Sequence, residues 1–252
     1  MLKTSAHCPQ TYTKEDADTS FSAARWLEYF LDNKQNRTVT QFSDDLSISQ
    51  ELQEPLIRSL QRFQIGETGE GKHLKKFAKE KKDPIYEQCI DLFLKEEHSH
   101  ARILAEMIAA LDGNLITWHW SDLVFILLRR ALGLKTEIFI LLIAEIVGKC
   151  FYLQCARNLK NERLSDTFSV IVLDEIAHVE FHCDFLRTEL ITYPQPVRYA
   201  IYWAWATLFY AASLVFVLDH RLALAGLEVS QRKFLDDCST TFHRAASRAL
   251  AI

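Results

Sequence analysis

DEIAHVEFH, residues 174–182, places five ionisable side chains in nine residues of an otherwise apolar run. On a helix, Glu175 and His178 lie three positions apart, on one face and about one turn from each other. Together they aim a carboxylate and an imidazole at one point. A single Glu-x-x-His is weak evidence, because chance produces it often. The chain repeats it, however, at Glu97-His98-Ser99-His100.

Each of these segments follows a stretch that carries a glutamate in apolar company: Glu67 in RFQIGETGEG and Glu145 in LLIAEIVGKC. Glu67 and Glu97 are 30 residues apart, and so are Glu145 and Glu175. The midpoints, residues 82 and 160, fall in the turn-like KEKKDP and LKNER. In an antiparallel helix hairpin, residues equally far from the turn sit at the same height. Each hairpin is therefore expected to set one glutamate beside one Glu-x-x-His. Two such hairpins packed together bring four carboxylates and two histidines into a bundle core, an arrangement that holds two metal ions. Unpaired burial of four carboxylates would be prohibitive, so divalent cations are the natural partners. Carboxylates with one imidazole per metal suit iron or manganese, and the lack of clustered cysteines argues against iron–sulfur or structural zinc.

The rest of the chain reads as helix. The 252 residues are 49% hydrophobic with only 7 glycines and 5 prolines, and the long apolar stretches lack strand-like alternation. We expect an all-α protein: a loose N-terminus over 1–20, then one domain over 21–252, with a metal-binding core at about 48–191 and apolar C-terminal helices over 197–252. A first helix is expected from Phe21 to Leu31, with NKQNRTVTQFSDDLS (33–47) as a connection. A long helix from Ile48 to Lys79 is interrupted by the glycines of 66–71, which call for a kink or a close helix approach. Asp83-Pro84 is an N-cap followed by proline at the first helical position, and Asp112-Gly113-Asn114 ends the helix that follows. A short helix from Asp122 to Leu132, a break at Gly133 and a helix from Leu134 to Asn158, apolar nearly all round, come next. Ser165 or Asp166 is the expected cap of the helix that runs to Ile191.

The net charge of −4 and the absence of a basic face exclude a nucleic-acid partner. The six cysteines form no Cys-x-x-Cys pair and mostly sit in apolar helical patterns, which fits a reducing compartment. The N-terminus has no secretory or transit-peptide pattern, so a cytoplasmic location is expected. Residues 199–218 contain no charge over twenty positions. That length can cross a bilayer, but it equally suits a helix that covers a bundle, walls a lipophilic tunnel, rests on a membrane or forms a dimer face.

On Glu67, Glu97, His100, Glu145, Glu175 and His178, the chain from about Ile48 to Leu190 resembles the ferritin-like di-iron carboxylate superfamily. Within it, the likeness is to the cyanobacterial aldehyde-deformylating oxygenases. The resemblance implies a ferritin-like four-helix bundle with additional N- and C-terminal helices. It implies the six residues as ligands of two Fe ions, or of an Fe/Mn or Mn pair, with Glu97 and Glu175 as bridges. Glu96 and Asp174 correspond to carboxylates that orient ligand histidines. His182, one turn after His178, is either a seventh ligand, as in the arylamine N-oxygenases of this superfamily, or a core histidine. Glu70 competes with Glu67, and Tyr152, Cys155 and Cys183 are either pocket or packing residues. Lys95, His98 and Glu180, and Glu96 as the alternative to an orienting role, suit a solvated helix face.

The function so implied is a non-haem di-iron oxidase or oxygenase that uses O2 as co-substrate. Its substrate would be a lipophilic small molecule such as a fatty acyl or aldehyde derivative, and its electrons would come from a donor such as a ferredoxin. The apolar surroundings offered by Phe139, Leu142, Ile143, Phe151, Val170, Val172 and Phe181 suit a dry channel, although most of these must be ordinary core. The alternatives are a ferroxidase or iron store without organic substrate, and a helical binding or structural protein without turnover.

Overall fold

A computed structural model describes residues 22–37, 46, 48–69, 71–119 and 134–252. Among these residues every regular element is a helix: α1 (Ala23–Asn36), α2 (Gln50–Glu67), α3 (Lys72–Glu80), α4 (Pro84–Ala110), α5 (Leu134–Asn158), α6 (Glu162–Leu190), α7 (Gln195–Asp219), α8 (Arg221–Gly226) and α9 (Gln231–Leu250). The first twenty residues, Glu70, the expected helix 122–132 and the break at Gly133 lie outside the described residues.

Two antiparallel hairpins carry the site. In the first, the chain leaves α2 at Glu67 and starts again at Lys72, so the expected long helix is two helices joined by a bend. Gly71 makes that bend: its φ is +61°, and a Cβ there would meet Leu94 Cδ1 at 2.4 Å, so both backbone conformation and close packing demand glycine. Asp83 then caps α4, its carboxylate accepting from the amides of Ile85 (3.0 Å) and Tyr86 (3.1 Å), with Pro84 at the first turn. The α2–α3 strut and α4 run antiparallel: Gln53 Nε2 donates to Leu111 O at one end, and Lys75 pairs with Asp91 towards the other. At the end of α4 the left-handed residue is Asp112 (φ 61°), not Gly113. Gly113 is needed for another reason, since a Cβ on it would meet Ile57 Cγ2 at 2.7 Å.

The second hairpin, α5 and α6, turns over Leu159–Asn161. Asn161 caps α6 by accepting from Leu164 N at 3.1 Å, so the helix starts one turn before the expected Ser165 or Asp166. Ser165 instead faces back across the turn and donates to Ala156 O at 2.5 Å. As its apolar circumference requires, α5 is a core helix: of the two described helices long and apolar enough to cross a membrane, it is 78% buried over its most apolar window, whereas α7 is only 28% buried. Trp203, Leu208, Leu214, Val215 and Leu218 of α7 remain exposed.

The remaining helices pack around this core. α1 covers α4 and α6 with buried Trp26 and Phe30, which meet Phe181, and Trp26 Nε1 donates to Asp184 Oδ2 at 3.2 Å. It runs to Asn36, five residues beyond the expected end, and so takes up part of the stretch expected as a connection. α7 lies beside α5, where Phe139 meets Trp205 and Phe151 meets Phe216. α9 packs on both α6 and α7.

Candidate metal centre

The equal spacing of the two hairpins has its expected consequence. Glu97 and His100 project inward from α4, Glu175 and His178 from α6, Glu145 from α5 and Glu67 from the last turn of α2. Ligand atoms of Glu97, Glu145, Glu175 and His178 all lie within 4.8 Å of one another, and so do those of Glu67, Glu97 and His100. The two groups share Glu97 and are further joined by Glu175, whose Oε1 is 3.3 Å from His100 Nδ1. Five of the six residues are buried; Glu67 is half-buried.

Each histidine is fixed from behind by the opposite hairpin. His100 Nε2 donates to Asp174 Oδ2 at 2.9 Å, and His178 Nε2 donates to Glu96 Oε2 at 2.8 Å. With the Nε2 proton held there, the Nδ1 lone pair of each ring faces the cluster. His178 Nδ1 lies 3.1 Å from Glu97 Oε1 and 3.6 Å from Glu145 Oε2, without a hydrogen bond to either. The buried atoms His100 Nδ1, His178 Nδ1, Glu97 Oε1 and Glu145 Oε2 all lack a hydrogen-bond partner. Such orphaned acceptors, all turned to one point, fit metal ions: they are the donor atoms that a pair of hard cations would take up. The cluster can hold metal.

The electrostatics agree. Burial first, then repulsion from neighbouring carboxylates, pushes the carboxyls of Glu67 and Glu145 well above the ordinary value and raises Glu97 as well. Glu175 goes the other way. Burial opposes its ionisation, but the His100 and His178 rings close beside it, together with the neighbouring Glu145 carboxyl, outweigh burial and hold its carboxyl far below the usual range. Burial would lower both imidazoles, yet Asp174 and Glu175 push His100 well up, and the four glutamates around His178 do the same there. These carboxyls ionise together only with positive charge among them, as protons on the histidines or as metal cations.

A cavity of about 460 Å³ reaches the cluster. Glu67, Glu97, Glu145 and Glu175 lie on its wall, and most of the rest is apolar, contributed by α5 (Ile140, Leu141, Ile143, Ala144, Val147) and α7 (Leu208, Ala212, Val215, Phe216). Arg62, paired with Asp219 at 2.9 Å, and His220 also line it. Of the residues expected to line a channel, Ile143 does; Phe139, Leu142, Phe151, Val170, Val172 and Phe181 are not on this wall.

Other expectations sort as follows. Tyr152 is fully buried and donates from its hydroxyl to Glu67 Oε1 at 3.1 Å, so it does more than pack. His182 joins neither group of converging ligand atoms; its ring lies against Phe93 (4.8 Å) and Phe181 (5.0 Å). Cys155 and Cys183 are buried away from the cavity, and burial pushes both thiols up, so neither is a reactive thiolate. Lys95 and His98 are exposed as expected, whereas Glu96 is buried against His178 and Glu180 pairs with Arg248 at 3.1 Å.

Two participants were not expected at all. Asn33 of α1 donates through Nδ2 both to Glu96 Oε1 (2.7 Å) and to Asp174 Oδ1 (2.9 Å). Arg37, one turn further, bonds Asp174 Oδ2 and lies 3.7 Å from Glu96 Oε1. No spacing rule could have found them, because their partners are as far as 141 residues away in sequence.

No known protein family, no curated protein and no solved structure matches this chain. Fold and site therefore define its class on their own: an all-helical protein with a buried glutamate–histidine cluster able to hold metal.

Proposed function

We propose that the chain is a ferritin-like di-metal carboxylate protein that holds two Fe ions and uses O2 to oxidise a lipophilic small molecule. The observation that carries this reading is the cavity: four carboxylates of the cluster open onto a space of about 460 Å³ whose other walls are mostly aliphatic. An iron store or ferroxidase needs a path for hydrated ions, which an acidic or polar lining would serve better. An apolar chamber of this volume suits an organic substrate, with fatty acyl and fatty aldehyde derivatives as the first class to try.

In this reading Glu67, Glu97, His100, Glu145, Glu175 and His178 would hold the two metals, with Glu97 common to both groups of converging ligand atoms, and His182 stays in the core. When bound, a pair of ferrous ions supplies electrons for the reduction of O2. The protein does the rest. Glu96 and Asp174 keep the Nε2 protons and so hold each imidazole in the tautomer that presents Nδ1. Tyr152 orients Glu67 at the edge of the cavity. The aliphatic wall excludes water from the reacting end of the substrate. Leu208 and Val215 of α7 line the cavity and are also 44% and 45% exposed, so a hydrophobic molecule can approach it past these side chains. Repeated turnover requires an external electron donor.

The test has two stages. Protein loaded with Fe(II) without oxygen should carry two Fe per chain and melt at a higher temperature than chelator-treated protein, and Glu175→Ala should abolish both effects. Each site saturated at a hundredfold its Kd adds about 2.7 kcal/mol. The reduced protein is then mixed with O2 and fatty substrates and followed by mass spectrometry. An oxidised organic product supports the reading. Ferric mineral without organic product would replace it with iron handling, and failure to bind iron would remove the metal altogether.

A further inference from the structure

We propose that Asn33 and Arg37 form a clamp outside the metal-binding hairpins that positions both ligand histidines and sets the charge the metal pair feels. The inference rests on the metal reading above. Its basis is an unbroken chain of hydrogen bonds, His178–Glu96–Asn33–Asp174–His100, in which every link is 2.7 to 2.9 Å long. An asparagine amide has two N–H donors, and here one goes to a carboxylate on α4 and the other to a carboxylate on α6. A shift of either helix along its axis would break one of them. The clamp thus locks the relative height of the two Glu-x-x-His segments, on which the coincidence of their ligand atoms depends.

Attachment of α1 does not account for this arrangement. Buried Trp26 and Phe30 already seat the helix, and Trp26 Nε1 already ties it to Asp184. An anchor has no need of an amide shared between two carboxylates, each of which supports a histidine of the other hairpin.

Arg37 adds charge. Two divalent cations balance the carboxylates of Glu67, Glu97, Glu145 and Glu175, which leaves Glu96 and Asp174 as excess negative charge directly behind the histidines. Arg37 lies within ion-pair distance of both. Its guanidinium is largely shielded, with 16% of the side chain exposed, so its field reaches the centre with little screening. A positive charge so placed disfavours the more oxidised, more positive metal pair and raises the midpoint potential. Neither Asn33 nor Arg37 is on the cavity wall, so the clamp works from the histidine side and leaves substrate access untouched.

The test uses the full chain, Co(II) as a binding probe and Fe for potentiometry. Wild type should bind two Co(II), with visible bands that report the ligand field. Asn33→Leu, checked for unchanged helical circular dichroism, should bind Co(II) about 10–100-fold more weakly, the usual cost of removing such a support, and should show altered bands. Arg37→Gln, at the edge of the fold, should keep two Fe but have a lower midpoint potential, and Arg37→Lys should recover most of the difference. A purely structural role for α1 would shift the melting temperature without moving bands or potential. Unchanged bands and affinity in Asn33→Leu, together with an unchanged potential in Arg37→Gln, would overturn the clamp while leaving the metal centre in place. A wild type that takes up no Co(II) or Fe would overturn both.

Discussion

His178 Nε2 lies 2.8 Å from Glu96 Oε2, and His100 repeats the relation with Asp174 at 2.9 Å. Glu96 and Asp174 each immediately precede a proposed ligand glutamate in sequence. On a helix, adjacent residues point about 100° apart, so while the glutamate faces its cluster, its neighbour reaches sideways to the histidine of the other hairpin. One local pattern, acid–Glu–x–x–His, thus supplies ligands to the centre and a support to the opposite helix. Used twice in antiparallel helices, it closes on itself.

The reciprocal support has a measurable consequence. Glu96→Ala leaves His178 Nε2 without its acceptor, and the ring is free to change tautomer and to turn. Metal affinity, measured by competition with a chelator, should fall about 10–100-fold. Glu106→Ala on the same helix, which removes only the surface pair with Arg102, should leave it unchanged.

The hydroxyl of Tyr152 reaches the cluster through Glu67 Oε1 at 3.1 Å. The ring is held by Phe63 and by Phe168, with which it stacks. Tyr152→Phe should therefore fold normally and lose about 1 kcal/mol of stability in a denaturant titration. Glu67, freed to move at the cavity wall, should release its metal faster, seen as quicker loss of the first Fe to a chelator. An Fe release rate equal to wild type would show that the hydroxyl has no hold on the ligand.

Much of the site was legible before the structure. The matched 30-residue spacings work because helix rise is constant: two helices of a hairpin keep step, so distance from the turn becomes height in the bundle. The apolar circumference of α5 gave its burial by the same kind of local argument. Illegible were the features that arise from contacts between distant segments. Asn33 and Arg37 sit in NKQNR, a polar stretch with no motif, and acquire their role only when α1 crosses the α4–α6 seam. Asn161 and Ser165 are both cap-forming residue types, and composition alone does not say which of them meets the first free amide. The glycines at 66–71 announced a bend, but that Gly71 carries it follows from its φ of +61° and from Leu94 on α4.

The cavity makes a separate prediction. Ala212 lines it from α7, a helix that carries no proposed ligand. Ala212→Trp should project an indole into the space a substrate chain would take, a clash on the order of 1–3 kcal/mol. Fe content should stay at the wild-type value while product from long-chain substrates drops about tenfold or more, with short-chain substrates affected less. Equal losses at all chain lengths would mean that the substrate lies elsewhere.

His220 offers a test of the fold that does not involve the metals. It lines the cavity, stacked on Phe216 at 3.9 Å, and its Nδ1 lies 2.9 Å from Ser59 Oγ. Burial, with the nearby positive charge of Arg62 and the ring of His119 adding to it, lowers its pKa to about 3, despite Asp219 Oδ2 at 3.7 Å from Nε2. The folded protein thus keeps His220 neutral where the unfolded chain, with an ordinary pKa near 6.5, takes up a proton. Because the unfolded state binds more protons, acid favours unfolding: the contribution is fully present above about pH 6.5 and is lost as pH falls towards 3, by about 1.4 kcal/mol per unit once the unfolded histidine is protonated. Between pH 7.5 and 5, chelator-treated wild type should therefore lose more stability than His220→Gln, whose amide does not titrate. Comparing the two proteins cancels the metal-site histidines, which both share. Parallel stability curves over this range would show that His220 is not held neutral in the fold.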